Sequence, residues 1–207
     1  MHKSSTVVNI CGNFMQYYMD IKEIFDKNNG FLRAKDLTSR NQWYQLKKLI
    51  DNNIVVKLKK GLYAIPRYNV IDQNREVAQI VPSGVLCMFS AWQHYNLTLN
   101  NPFDYHIAIK REDKIVLPDY PPIKLYRWSE KFYSLGIIET DTIKIYDLEK
   151  SVCDAVRFRN KVGMDITIEV VRNYVQKREE RNFDKLTKYA RLLRIEKIMQ
   201  SIIMPML

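Results

Sequence analysis

The chain has 207 residues, 46% hydrophobic and 12% aromatic, enough for one large or two small packed domains and too apolar for wholesale disorder. Six glycines and seven prolines exclude a collagenous or low-complexity chain, and no apolar run approaches the roughly 20 residues of a membrane span. Thirty-three Lys and Arg against 23 Asp and Glu give a net charge of +10, of which residues 1–70 carry +7; that concentration points to a polyanionic partner for the first third.

Met1-His2-Lys3-Ser4-Ser5 leads into no apolar leader, so a soluble, cytoplasmic protein is expected. The cysteines (Cys11, Cys87, Cys153) and histidines (His2, His94, His106) stand at no metal-ligand spacing, and neither a metal nor another cofactor is expected. Cys87 and His94, seven apart, would share a helix face and read as core or near-core residues.

Residues 13–28 have the period of an amphipathic helix, with Phe14, Tyr17, Tyr18, Ile21, Ile24 and Phe25 on one side. Asn28-Asn29-Gly30 ends it, because these residues tolerate the left-handed backbone that closes a helix. A short helix is expected over 33–37. Ser39 followed by Gln42 is a capping-box pattern, so a third helix should begin there and run to Asn52. Ile54–Leu58 and Leu62–Pro66, joined by Lys59-Lys60-Gly61, read as a β-hairpin. Three helices and a hairpin are the order of a winged helix-turn-helix, here over residues 1–68.

On the third helix, Ser39, Trp43, Leu46 and Ile50 cluster at 100° per residue, with Leu49 adjoining, and should pack inward. Arg40, Asn41, Tyr44, Gln45 and Lys48 would then face a DNA groove. Arg forks to guanine, Asn or Gln pairs with adenine, and Tyr and Lys reach phosphate or sugar. Lys57, Lys59 and Lys60 on the wing would neutralise phosphates without reading sequence.

Residues 69–207 read as an α+β domain, a small sheet packed with several helices. A short helix lies in 69–80. Pro82-Ser83-Gly84 opens a helix to about Tyr95, whose free backbone N–H groups could hold an anion. Strands are expected at 104–110, 123–128 and 142–146, with a loop at 116–122. Ser129 caps a short helix and Asp147 a long one over 148–162, on which Lys150 and Asp154 would form a surface ion pair. Helices at 166–176, 184–193 and 195–203 complete the chain. Asp104, Glu112 and Lys114 match the loose Asp…Glu-x-Lys pattern of Mg-dependent nucleases, a less favoured alternative to a non-enzymatic role.

Several stretches resemble the AbiEi-type antitoxins, the transcriptional regulators of abortive-infection (type IV) toxin–antitoxin operons. These are Lys60-Gly61-Leu62-Tyr63-Ala64-Ile65-Pro66, then Val81-Pro82-Ser83-Gly84-Val85-Leu86-Cys87-Met88-Phe89-Ser90-Ala91-Trp92 with Leu97-Thr98, and Pro102-Phe103-Asp104-Tyr105-His106-Ile107-Ala108-Ile109. Leu135-Gly136-Ile137, Ile145-Tyr146-Asp147-Leu148-Glu149-Lys150-Ser151-Val152-Cys153-Asp154 and Tyr189-Ala190 complete the set, over roughly residues 20–195. Leu37-Thr38-Ser39-Arg40 lacks the glycine that many members carry before the third helix.

The resemblance implies a repressor that binds inverted repeats in its own promoter, as a monomer in solution or a dimer on DNA. It also implies a second domain opposing a nucleotidyltransferase-type toxin without a required stable complex. An ordinary winged-helix regulator with a ligand-sensing or dimerising second domain is the alternative.

Overall fold

The computed structural model describes residues 21–66 and 73–207. It is α+β, with two small sheets and helices divided between two compact units. One unit ends at Ile80 and takes in Val116–Pro118; the other comprises Val81–Ile115 and Asp119–Leu207. The boundary expected between residues 68 and 69 lies outside the described residues, as do Cys11 and the first part of the helix expected over 13–28.

In the first unit, α1 (residues 21–27) stops at Asn29 and Gly30, both with positive φ (53° and 86°). The chain then enters β1 (Phe31–Arg33), a strand not expected from the sequence, and the helix expected over 33–37 is one 3-10 turn, Ala34–Asp36. Phe31 and Leu32 are buried, and β1 gains its hydrogen bonds from β3, an opportunity invisible to local pattern. α2 (Arg40–Asp51) begins where the capping box placed it: the Gln42 N–H donates to Ser39 Oγ at 3.2 Å and the Ser39 N–H donates to Gln42 Oε1 at 3.2 Å.

The hairpin follows as β2 (Val56–Lys59) and β3 (Leu62–Ala64), and the sheet order is β1-β3-β2, all antiparallel. Ile21, Phe25, Leu32, Leu46, Leu49 and Tyr63 share one apolar core. α3 (Gln73–Ile80) closes the unit and supplies buried Val77 and Ile80.

The second unit is built on a five-stranded mixed sheet, ordered β6-β5-β4-β8-β7. Its centre is β4 (Val85–Leu86), parallel to β8 (Lys144–Tyr146) and antiparallel to β5 (Tyr105–Lys110). β6 (Ile123–Trp128) forms one edge, parallel to β5, and β7 (Ile137–Glu139) the other. Val85 and Leu86 were expected in a helix; that helix, α4 (Met88–His94), starts after Cys87. Gly84 explains the change. A Cβ there would lie 2.6 Å from the Ile107 side chain and 2.9 Å from the Val81 carbonyl, so only glycine lets the backbone come close enough to pair with β5. Pro82-Ser83-Gly84 therefore precedes a strand, and the helix N-terminus expected to hold an anion is not formed there. Of the pair Cys87 and His94, the first is buried and the second exposed.

α5 (Glu130–Tyr133) follows Ser129, whose side chain makes no capping bond. The long helix expected over 148–162 is two, α6 (Leu148–Arg157) and α7 (Arg159–Val162), because Phe158 leaves helical geometry and stacks on Trp128, centroids 6.0 Å apart. α8 (Met164–Gln176), α9 (Phe183–Leu192) and α10 (Glu196–Ile203) pack around α6, with Trp92, Tyr146 and Tyr174 as the largest core rings. Among the described residues no helix is long and apolar enough to cross a membrane.

Candidate nucleic-acid interface

The face that α2 turns inward differs from the expected one by about 60°, a little over half a residue step. Gln45, Leu46 and Leu49 are buried, and Trp43, expected inside, is 43% exposed. Gln45 is thus removed from the groove-facing set. Only 6% of it is accessible, and neither its Oε1 nor its Nε2 has a hydrogen-bond partner among the described residues. Arg40, Asn41, Tyr44 and Lys48 are exposed as expected, and Lys47, which sequence reasoning did not select, joins them. A helical wheel alone could not find this rotation: Leu46 and Leu49 share the face in either reading, and only the direction of the packed partners decides between Trp43 and Gln45.

The outward face therefore carries Arg40, Asn41, Trp43, Tyr44, Lys47 and Lys48. Lys48 Nζ lies 4.6 Å from the centroid of the Tyr44 ring, a cation–π contact that leaves the charge facing water. Gln42, between the two faces, accepts from the Thr38 and Ser39 N–H groups at 2.8 and 3.2 Å and so fixes the first turn from which Arg40 projects.

On the hairpin, Lys57 and Lys60 are exposed and Lys59 is half-buried. Pairing shifts by one residue between Lys57 and Lys59, so the strand bulges and turns the Lys59 side chain inward. Its Nζ donates to the Ile80 carbonyl at 2.5 Å. Burial, with a smaller contribution from the Arg33 charge, lowers its pKa. Lys59 holds the hairpin to the end of α3 and is withdrawn from the phosphate-contacting set. Among the described residues no carboxylate forms an ion pair with Arg40, Lys47, Lys48, Lys57 or Lys60. Five cations without a carboxylate partner among the described residues leave a positive field that an external anion can neutralise.

The nuclease alternative fares differently. Asp104 precedes β5 and Glu112 lies in the turn beyond it, so the strand between them, about 17 Å long at the usual rise, holds them apart. Glu112 and Lys114 sit in the turn beyond the strand, and all three side chains are exposed. The geometry does not assemble the set.

The block Asp147–Asp154, conspicuous in the sequence, is buried rather than displayed. Asp147 caps α6, accepting from the Lys150 N–H at 2.8 Å, and its other oxygen accepts from Tyr189 Oη at 2.9 Å. Glu149 accepts from the Asn182 N–H at 3.0 Å, and Lys185 bridges Asp147 and Glu149 at 3.1 and 3.3 Å. Lys150 and Asp154, expected at the surface, are 0% and 1% exposed. Lys150 Nζ reaches both carboxylate oxygens at 2.7 Å and lies over the rings of Tyr146 (4.2 Å) and Trp128 (4.3 Å). Gly136 (φ 73°) packs against this hub: a Cβ there would meet Asp147 Oδ2 and Lys150 Cβ, each at 2.9 Å. These residues assemble the second unit's core.

No protein-family model matches the sequence, and no curated protein is significantly similar to it.

Proposed function

We propose that this chain is a DNA-binding transcriptional repressor. Its first unit acts as a winged helix-turn-helix, with α2 as the recognition helix and the β2–β3 hairpin as the wing. The observation that carries this reading is the outward face of α2: Arg40, Asn41, Tyr44 and Lys48, with Lys47, project from a helix whose first turn is fixed by reciprocal capping bonds, and no described carboxylate neutralises them. Arg40 and Asn41 have the forked and two-point geometries that read guanine and adenine. Lys57 and Lys60 would meet backbone phosphates beside the groove. The strand-turn-helix-hairpin order after α1 supports the same assignment.

Its role as an antitoxin of a type IV operon, opposing a nucleotidyltransferase-type toxin and repressing its own promoter through inverted repeats, rests on the sequence resemblance alone. An ordinary regulator with a ligand-sensing second domain is the competing reading, favoured by a cationic groove in the second unit.

Fluorescence anisotropy on a duplex from the gene's own upstream region and on a shuffled duplex tests the repressor assignment. Selective binding at about 150 mM salt, with discrimination reduced by about 1–3 kcal/mol in Arg40→Ala, is expected. Equal affinity for both duplexes, unchanged by Arg40→Ala, would overturn it. Co-expression with a neighbouring nucleotidyltransferase gene tests the antitoxin role separately: relief of growth arrest supports it, and arrest unaffected by this protein refutes it.

A further inference from the structure

We propose that the second unit binds a free nucleotide in a groove lined by β6 and the α6–α7 junction, with arginines and lysines holding the phosphates and aromatic rings receiving the base. The groove measures about 590 Å³, within the range of small-molecule sites. Its cationic wall residues are Arg111, Lys124, Arg127, Arg157 and Lys161, and neither Asp nor Glu lines it. None of the five lies within ion-pair distance of a carboxylate among the described residues.

Five like charges around one concavity repel one another, and the low-dielectric wall sharpens the field they share. A polyphosphate relieves that repulsion more fully than a single carboxylate. Two of the cations are pre-positioned. Arg127 Nη1 donates to the carbonyls of Arg111 and Asp113, and the Arg157 guanidinium lies 3.6 Å from the Phe132 ring centroid. An arginine held in place loses less freedom when an anion arrives.

The rest of the wall is aromatic. Phe158 stacks on Trp128 at an interplanar angle of 12°, so that Phe158 and Lys150 cover Trp128 while Arg157 covers Phe132; Phe158 and Tyr126 are the lining rings left for a base. These two rings accept any base by stacking, so this chemistry selects a nucleotide without fixing its base. The volume suits one nucleotide rather than a run of them, which favours a free ligand over a strand. The groove lies wholly within the second unit, and the inference stands independently of the duplex reading.

Calorimetric titration of the full chain with ATP, GTP, CTP and UTP, and with tripolyphosphate, tests the site. At least one nucleotide should bind in the micromolar range, and tripolyphosphate about tenfold or more weakly. Lys124→Glu and Lys161→Glu, both at exposed positions, should each weaken nucleotide binding about tenfold or more, whereas Lys188→Glu, exposed on α9 and outside the groove, should not. The proposal is overturned if none of the four binds by about 1 mM, if tripolyphosphate binds as tightly as the nucleotides, or if Lys188→Glu is as damaging as the groove variants. Displacement of bound nucleotide by a single-stranded oligonucleotide at equal or lower concentration would also overturn it, making the groove part of a strand-binding track.

Discussion

Lys150 carries a charge into the centre of the second unit, where an unpaired ammonium would be intolerable, and the structure answers with Asp154 one helical turn away and two aromatic faces. Burial raises the Asp154 pKa while the Lys150 charge opposes the rise. Lys150→Met should therefore destabilise the protein by about 3–5 kcal/mol by stranding Asp154, and Lys150→Met combined with Asp154→Leu should recover most of the loss. Urea unfolding of both variants checks this; equal loss in the single and double variants would mean that shape, not charge pairing, governs the site.

His106 offers a second test. It is buried beside Tyr126, with Nδ1 2.9 Å from the Tyr126 hydroxyl, and burial first, then the Lys124 charge, lowers its pKa to about 4, with Asp104 opposing. Its folded pKa lies below the unfolded value near 6.5, so the unfolded chain binds the proton more readily. The stability it contributes is fully present above pH 6.5 and is lost as pH falls towards 4. His106→Gln should remove on the order of 2 kcal/mol of the stability difference between pH 7 and pH 4. Identical acid profiles for the two proteins would show that His106 titrates alike in both states.

Among the elements, α2 is the most instructive. Its start was legible because Ser39 and Gln42 settle a backbone question locally, through bonds across one turn. Its azimuth was not, because Trp43 and Gln45 flank the same Leu46–Leu49 stripe and their fates depend on what lies opposite. The outcome buries a glutamine whose amide has no partner among the described residues, an arrangement that costs roughly 1–3 kcal/mol. Gln45→Leu should accordingly raise stability by about 1 kcal/mol or more and leave duplex affinity unchanged; lost duplex affinity would put Gln45 back among the groove readers. β6 was recovered to the residue, since Ile123, Leu125, Tyr126 and Trp128 make a short run rich in strand-forming residues, closed on one side by Pro121-Pro122. β1, β4 and β7 were missed because each has only two or three residues, too few for a period, and owes its existence to a partner distant in sequence. The break at Phe158 was hidden for a related reason: the ring's partner, Trp128, lies on another element.

At the scale of the whole molecule, two groups of cations stand out among the described residues. One lies on α2 and the hairpin of the first unit; the other lines the groove beside β6 in the second. Net charge led to the expectation of a polyanionic partner, but it gave no sign of the groove. Arg111, Lys124, Arg127, Arg157 and Lys161 are scattered over fifty positions and converge only in three dimensions. The hairpin's share can be isolated. The Lys57→Ala, Lys60→Ala double variant should reduce the slope of log affinity against log salt by about 1.8 on duplex DNA, whereas Lys59→Ala should leave the slope unchanged and lower stability instead. A slope that falls equally for Lys59→Ala would return that residue to the phosphate surface.

The burial of Cys87, between β4 and α4, and of Cys153, midway along α6, has a practical consequence. Burial pushes both thiols well above their usual pKa, so neither meets an alkylating reagent as a thiolate while the second unit is closed. With Cys11 replaced by serine, the rate of alkylation becomes a clock for spontaneous opening, read at two positions in one molecule. Matched rates at Cys87 and Cys153 would mark sheet and helices as opening in a single event; a faster Cys153 would mean that the helical layer breathes first.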